Sequence, residues 1–240
     1  MGCDIHFYVE KKVGDTWVTA DEWFPDPDED GRLSTYRWGP GFTVEKEPMY
    51  TGRNYGLFSI LANVRNGYGF AGVDTGDGYV PICDPRGLPD DVCSEVNTAS
   101  DEYGCDGHSH SWQTVEELLQ YDWTQTTTKR GVVGKREFLR WHLRGKPESW
   151  SGSIGGGDIQ NVTNDEMFAL LKAEFGADTL TWRHFHDAPD TGFVFEGPVT
   201  QVEWKQSYAE TAQHFLWDTM PKLWKIGKPD EVRIVYWFDN

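Results

Sequence analysis

Apolar and polar positions alternate at both ends of the chain. In "CDIHFYVEKKVGDTWVTA", Cys3, Ile5, Phe7 and Val9 share one parity and Asp4, His6, Tyr8 and Glu10 the other. That two-residue period is the signature of a strand, and Gly14-Asp15 supplies a turn, so the segment predicts a β-hairpin. The closing "EVRIVYWFD" alternates in the same way and is rich in β-branched and aromatic residues, predicting a final strand. Between these ends the period lengthens. In "RNYGLFSILANVRNG", Leu57, Ile60, Leu61 and Val64 recur at helical spacing, with Asn54 to cap the start and Asn66-Gly67 to end it. Thr114 and Glu117 form a capping box ahead of "VEELLQYDW", and Thr163 and Glu166 do the same for "NDEMFALLKAEFG", which stops at Gly176. A last helix is predicted over "SYAETAQHFLWDTM", ending near Pro221. The stretches "TLTWRHFH", "GFVFEG" and "VTQVEW" read as strands.

Three regions break the pattern. Residues around 21–50, 67–105 and 124–160 are rich in Gly, Pro, Thr or acid and predict irregular excursions, the third carrying one short basic helix over "KREFLRWHLRG". No internal repeat and no composition break marks a linker. The expectation is one α+β domain over residues 1–240, with a mixed or antiparallel sheet containing both terminal strands and helices packed on it.

Composition narrows the function classes. Of 240 residues 38% are hydrophobic, but 12 Trp, 10 Tyr and 13 Phe bring aromatics to 15%, so rings are expected to build the core. The formal charge of −17 repels polyanions, so direct binding of a DNA or RNA polymer is not expected. A small anion held by a few arginines remains compatible with it. No apolar run is long enough for a membrane span and no signal peptide is visible, which predicts no membrane partner and a cytoplasmic location. Cys3, Cys83, Cys93 and Cys105 include no CxxC pair, so reduced thiols are expected rather than a zinc ribbon.

The chemistry-bearing residues centre on "DGHSHSW". In extended backbone an i, i+2 pair projects to one side, which would let His108 and His110 reach a common ion together with Asp106. Imidazoles with carboxylates suit Zn or Mn, and an ion with open coordination positions activates water. Asp4 would complete such a donor set if the first strand lies alongside. His6 has a metal-free reading as well, as a general base oriented by a carboxylate. The catalytic candidates are therefore His6, His108 and His110, and the metal candidates Asp4, Asp106, His108 and His110. Arg53, Arg65 and Arg86 flank the first helix and the Gly-rich stretch and are suited to phosphate; Tyr55 and Trp112 are suited to stacking a base. The bland alternatives are loop histidines bonded to carbonyls, surface ion pairs and core rings. "WRHFHD" reads as one polar sheet face.

"MGCDIHFYVEKK", "RNYGLFSILANVRNG", "PRGLPDDV", "DGHSHSW" and "VRIVYWFDN" together resemble an uncharacterised protein family frequent in bacteriophage and prophage genomes. The resemblance touches both ends and the middle of the chain. It transfers no catalytic residue; it implies a phage context, in which small accessory proteins counter host defence.

Two functional readings follow. One is a metal-dependent hydrolase of a small phosphorylated or cyclic nucleotide signal. The other is a non-catalytic protein that sequesters such a nucleotide or blocks a host defence protein.

Overall fold

The computed structural model describes residues 2–25, 43–45, 48–155, 158–188 and 197–239. In chain order the elements begin with β1 (Asp4–Val13), β2 (Thr16–Thr19), β3 (Trp23–Pro25) and β4 (Thr43–Glu45). Next come α1 (Tyr55–Ala62), α2 (Ser94–Tyr103), β5 (His108–Thr114), α3 (Val115–Gln120), β6 (Thr126–Gly134) and α4 (Lys135–Arg144). The last third holds β7 (Ile159–Asn161), α5 (Asn164–Phe175), α6 (Trp182–Asp187), β8 (Gly197–Ser207), α7 (Tyr208–Thr211), α8 (Met220–Trp224) and β9 (Val232–Asp239). The fold is α+β. The chain gathers into two compact units, one drawn from Met1–Asn66, Val80–Trp123 and Ala209–Asn240, the other from Gly67–Tyr79 and Thr124–Tyr208.

The first unit is built on an antiparallel sheet of order β2-β1-β9-β5. Both terminal strands lie in it side by side, with Ile5 opposite Phe238, Phe7 opposite Tyr236 and Val9 opposite Ile234. These pairs face α1, α3 and the helical turns around Phe215 and Leu223, forming a core that includes Leu57, Phe58 and Leu118. The opposite face is buried too. There Tyr8, Val235 and Trp237 are covered by Cys93, Val96 and Ala99 of α2 and its approach. A strand covered on both faces shows a continuous apolar run rather than alternation, and every residue from Val232 to Phe238 is buried. The one wholly buried ion pair sits on this face among the described residues. Arg233 Nε donates to Glu10 Oε2 at 2.6 Å, Glu10 Oε1 accepts the Cys93 N–H at 2.7 Å, and the guanidinium lies over the Trp17 ring at 4.1 Å.

The second unit carries a three-stranded sheet of order β6-β8-β7, antiparallel between β6 and β8 and parallel between β8 and β7. Helices α4, α5 and α6 contribute Phe138, Leu139, Met167, Leu171 and Phe185 to a core closed by Val202 and Trp204 of β8.

Local signals explain most boundaries. Asn54 Oδ1 accepts the Leu57 N–H, and both Thr/Glu capping boxes form around α3 and α5. Four expectations are corrected. "WRHFHD" is helix α6, not a strand: Thr181 N–H donates to His184 Nδ1 at 2.9 Å, an imidazole standing where a Glu or Gln normally closes the box. The stretch 67–105 is not irregular throughout, because α2 occupies its end. Residues 124–160 contain β6, whose Thr and Gly residues hide a strand paired to β8 along its whole length. The last helix does not stop at Pro221, which falls in the first turn of α8, where its missing N–H is harmless. "GFVFEG" lies, except for Gly197, outside the described residues, as does most of the 21–50 excursion. Among the described residues no helix is long and apolar enough to cross a membrane.

Candidate functional site

The first-unit sheet ends where β1 begins, β9 finishes and β5 enters, and most of the sequence-predicted residues meet there. Antiparallel register sets Asp4 opposite Asp239 and His6 opposite Trp237. The Asp239 carboxylate takes the Asp4 backbone N–H on Oδ1 at 3.1 Å and faces His6 Nε2 with Oδ2 at 3.2 Å. The second contact is at ion-pair distance without hydrogen-bond alignment, so Nε2 is buried and lacks a hydrogen-bond partner. The His6 ring is held between Tyr103, centroids 4.0 Å apart, and Trp237, on which it stacks at 5.8 Å.

Cations border this group. Arg53 grips Asp4 with both Nε, at 2.7 Å, and a terminal nitrogen, and this holds the Asp4 carboxyl below its usual range. A Cβ at Gly2 would stand 2.9 Å from the guanidinium, so the absence of a side chain there leaves room for Arg53. Arg65, in left-handed backbone at φ 53°, lies over the Tyr55 ring at 5.0 Å and acts to lower the pKa of the buried Cys3 thiol. Burial outweighs that influence and raises the Cys3 pKa.

The two histidines of "DGHSHSW" do not project to one side. His108 pairs with Phe238 and Ser111 with Tyr236, so three steps on β5 match two on β9. The extra residue forms a β-bulge with Ser109 at φ 53°. It sends His108 toward Phe238, at 6.1 Å, and His110 onto Trp237, stacked at 5.4 Å; these are neighbours on β9 that face opposite ways. His110 Nε2 meets Ser100 Oγ at 2.9 Å, and His108 Nδ1 meets Ser109 Oγ at 3.0 Å. Burial lowers both pKa values, helped at His108 by Arg65 and at His110 by His108, so both rings are neutral at pH 7. Asp106 is exposed in the turn after α2, where its N–H donates to Tyr103 O. With the imidazoles diverging and Asp4 occupied by Arg53, the expected donor set does not converge. Among the described residues no group of three His, Cys, Asp or Glu side chains is arranged to hold a metal ion.

Arg86 and Trp112 lie elsewhere on the sheet. Arg86 clasps Glu117 at 2.7 and 3.1 Å, bonds Trp112 O and covers the Trp112 ring at 5.0 Å, which fastens the start of α3 to β5. Cys105, the thiol nearest to "DGHSH", is exposed, and all four cysteines are free.

Several residues at the sheet end escaped the sequence reading: Asp239, Trp237, Tyr103, Ser100 and Glu102. Only the register of β1 on β9, which spacing cannot supply across the chain, brings Asp239 and Trp237 to His6. Of the five buried side-chain polar atoms without a hydrogen-bond partner among the described residues, four belong to this end or its α2 cover: His6 Nε2, His108 Nε2, Trp237 Nε1 and Glu102 Oε2. Orphaned polar atoms in a native fold mark places where water or a ligand completes the bonding. No protein-family model, no curated protein and no solved structure matches this chain.

Proposed function

We propose that the protein acts on a small phosphorylated ligand of nucleotide type by acid–base chemistry at the open end of the first-unit sheet. The observation that carries the reading is the Asp239 carboxylate, which is fixed by the Asp4 N–H and set 3.2 Å from His6 Nε2. A carboxylate so placed faces the imidazole on its Nε2 side, leaving Nδ1 to exchange a proton with the ligand or with water. Arg53, already paired with Asp4, and Arg65, over one face of the Tyr55 ring, border it, and the ring's other face offers a surface on which a base can stack. His108 and His110, kept neutral, serve as hydrogen-bonding groups rather than as counter-charges. On this reading the protein counters a nucleotide signal of host defence, the role that its resemblance to phage proteins implies.

The test is incubation of purified protein with cyclic and linear nucleotides, with and without chelator. Turnover is expected, falling on the order of 100-fold or more in His6→Gln and also in Asp239→Asn. Loss of turnover in chelator alone would instead bring a metal ion back into the mechanism. Recovery of intact ligand from heat-denatured protein would replace catalysis by sequestration.

A further inference from the structure

The second unit carries an open groove of about 710 Å³ that none of the histidine chemistry uses. It runs between the last turn of α4 and residues 203–205 of β8, beyond the stretch that pairs with β7. Trp141, Phe168 and Trp204 contribute its rings. Each ring is fixed from behind. Trp141 Nε1 donates to the Glu203 carbonyl at 2.8 Å, Trp204 Nε1 to Gln206 Oε1 at 3.1 Å, and Phe168 stands edge-on to Phe138 at 4.8 Å. His142, itself exposed, meets the Phe168 ring edge-on at 4.7 Å and adds a polar rim to that wall. Gly145, the left-handed cap of α4, has nothing within 4 Å of where a Cβ would be, so the backbone opens there.

The charge on this groove runs against that of the chain. Arg144, Lys146 and Lys205 line it; Arg144 is paired with Glu148 at 3.4 Å and lies over the Trp182 ring, while the one lining carboxylate, Glu203, is taken by Arg130 Nε at 2.7 Å. The Lys205 ammonium rests on a neutral acceptor, Thr128 Oγ1, at 2.7 Å. In a protein of net charge −17, two lysines beside fixed aromatic walls form a locally basic, stackable recess.

We infer that this groove is a binding site for a monomeric nucleoside phosphate, with the base against Phe168 and Trp141 and the phosphate at Lys146 and Lys205. Ring walls without cations would fit any flat apolar molecule; cations without rings would fit inorganic phosphate. Their combination selects a ligand that carries both, and the acidic body of the protein selects a monomer over a strand. The site belongs to a different unit from the His6–Asp239 pair and stands without it.

The measurement is calorimetric titration of the full-length protein with adenosine 5′-monophosphate, adenosine, inorganic phosphate and a twelve-nucleotide single strand. The monophosphate is expected to bind at least about tenfold more tightly than adenosine or phosphate alone. Lys146→Ala with Lys205→Ala should weaken it by roughly tenfold or more, and Phe168→Leu by about five-fold or more, with unchanged circular dichroism. The lysine substitutions should leave turnover at the sheet end at the wild-type level, which separates this site from it. Absence of monophosphate binding, binding indifferent to the lysine pair, or tighter binding of the strand would each overturn the assignment.

Discussion

Two glutamates of the first unit show what a buried carboxylate requires. Glu10 is fully buried, yet each oxygen has a donor, the Arg233 guanidinium on one and the Cys93 N–H on the other. Arg233 is in turn bound to Asp91 at 2.7 Å, so the charge is shared along a chain that reaches the surface. Glu102 has no such support. Its Oε2 is buried without a partner, and burial pushes the carboxyl from 4.5 up to about 7. A raised carboxyl pKa means the fold resists the charged form. Below pH 4.5 both states are protonated and nothing is lost. Between 4.5 and 7 the unfolded chain ionises and the folded one does not, so stability drains away as pH rises; above 7 the penalty is complete. Glu102→Gln removes the charge. It should leave stability unchanged at pH 4 and raise it by about 1–3 kcal/mol at pH 8, after allowance for partial exposure. Urea denaturation of both proteins at the two pH values measures this. An equal effect at both would show that the carboxyl is not raised.

At the scale of elements, the loop 67–79 behaves as an added edge of the second-unit sheet. Arg130 N–H donates to Thr75 O at 3.0 Å, Asp77 N–H to Thr128 O at 2.9 Å, and Thr127 Oγ1 to Gly78 O at 2.5 Å. Gly76 makes that approach possible. Its φ is +135°, and a Cβ there would stand 2.0 Å from Thr128 O, a backbone atom that cannot swing aside. Gly76→Ala should therefore destabilise the protein by about 3 kcal/mol or more, through strain and through loss of the edge. Gly72→Ala is the matched control: φ is +76° but nothing lies within 4 Å, so only the left-handed cost of about 1–2 kcal/mol is expected. Equal losses in the two variants, read from chemical denaturation, would remove steric approach as the cause. The same scale explains what the sequence could and could not reveal. Asn54, Thr114, Thr163 and Gly176 were legible because a cap is decided within four residues. Helix α2 was hidden because only Val96 and Ala99 mark its apolar side, and β6 because "TTTKRG" draws its stability from β8 rather than from its own side chains. The bulge at Ser109 turned an apparent i, i+2 pair into two divergent rings, a change set by register on β9 and invisible to local spacing.

For the molecule as a whole, the decisive contact is between its two ends. β1 and β9 pair over Asp4–Lys11 and Val232–Asp239, so the first-unit sheet closes only when the last strand enters it. β9 is also the sole sheet neighbour of β5 among the described residues, so it joins the strand that carries His6 to the strand that carries His108 and His110. The second unit needs none of this, since its sheet and core lie wholly within 67–79 and 124–208. A chain lacking residues 232–240 should therefore lose amide protection across β1 and β5 while keeping it across β6 and β8. Hydrogen exchange read by mass spectrometry distinguishes the cases: retained protection in residues 4–13 would mean that the hairpin β1–β2 stands without β9. Uniform loss across both sheets would mean that the second unit depends on the first. Because sequence separation of this size must be closed before the sheet forms, the full-length chain should also fold its first unit in the slower phase. The His6–Asp239 contact and the orphaned polar atoms around it should then form only in that phase, as Asp239 reaches His6.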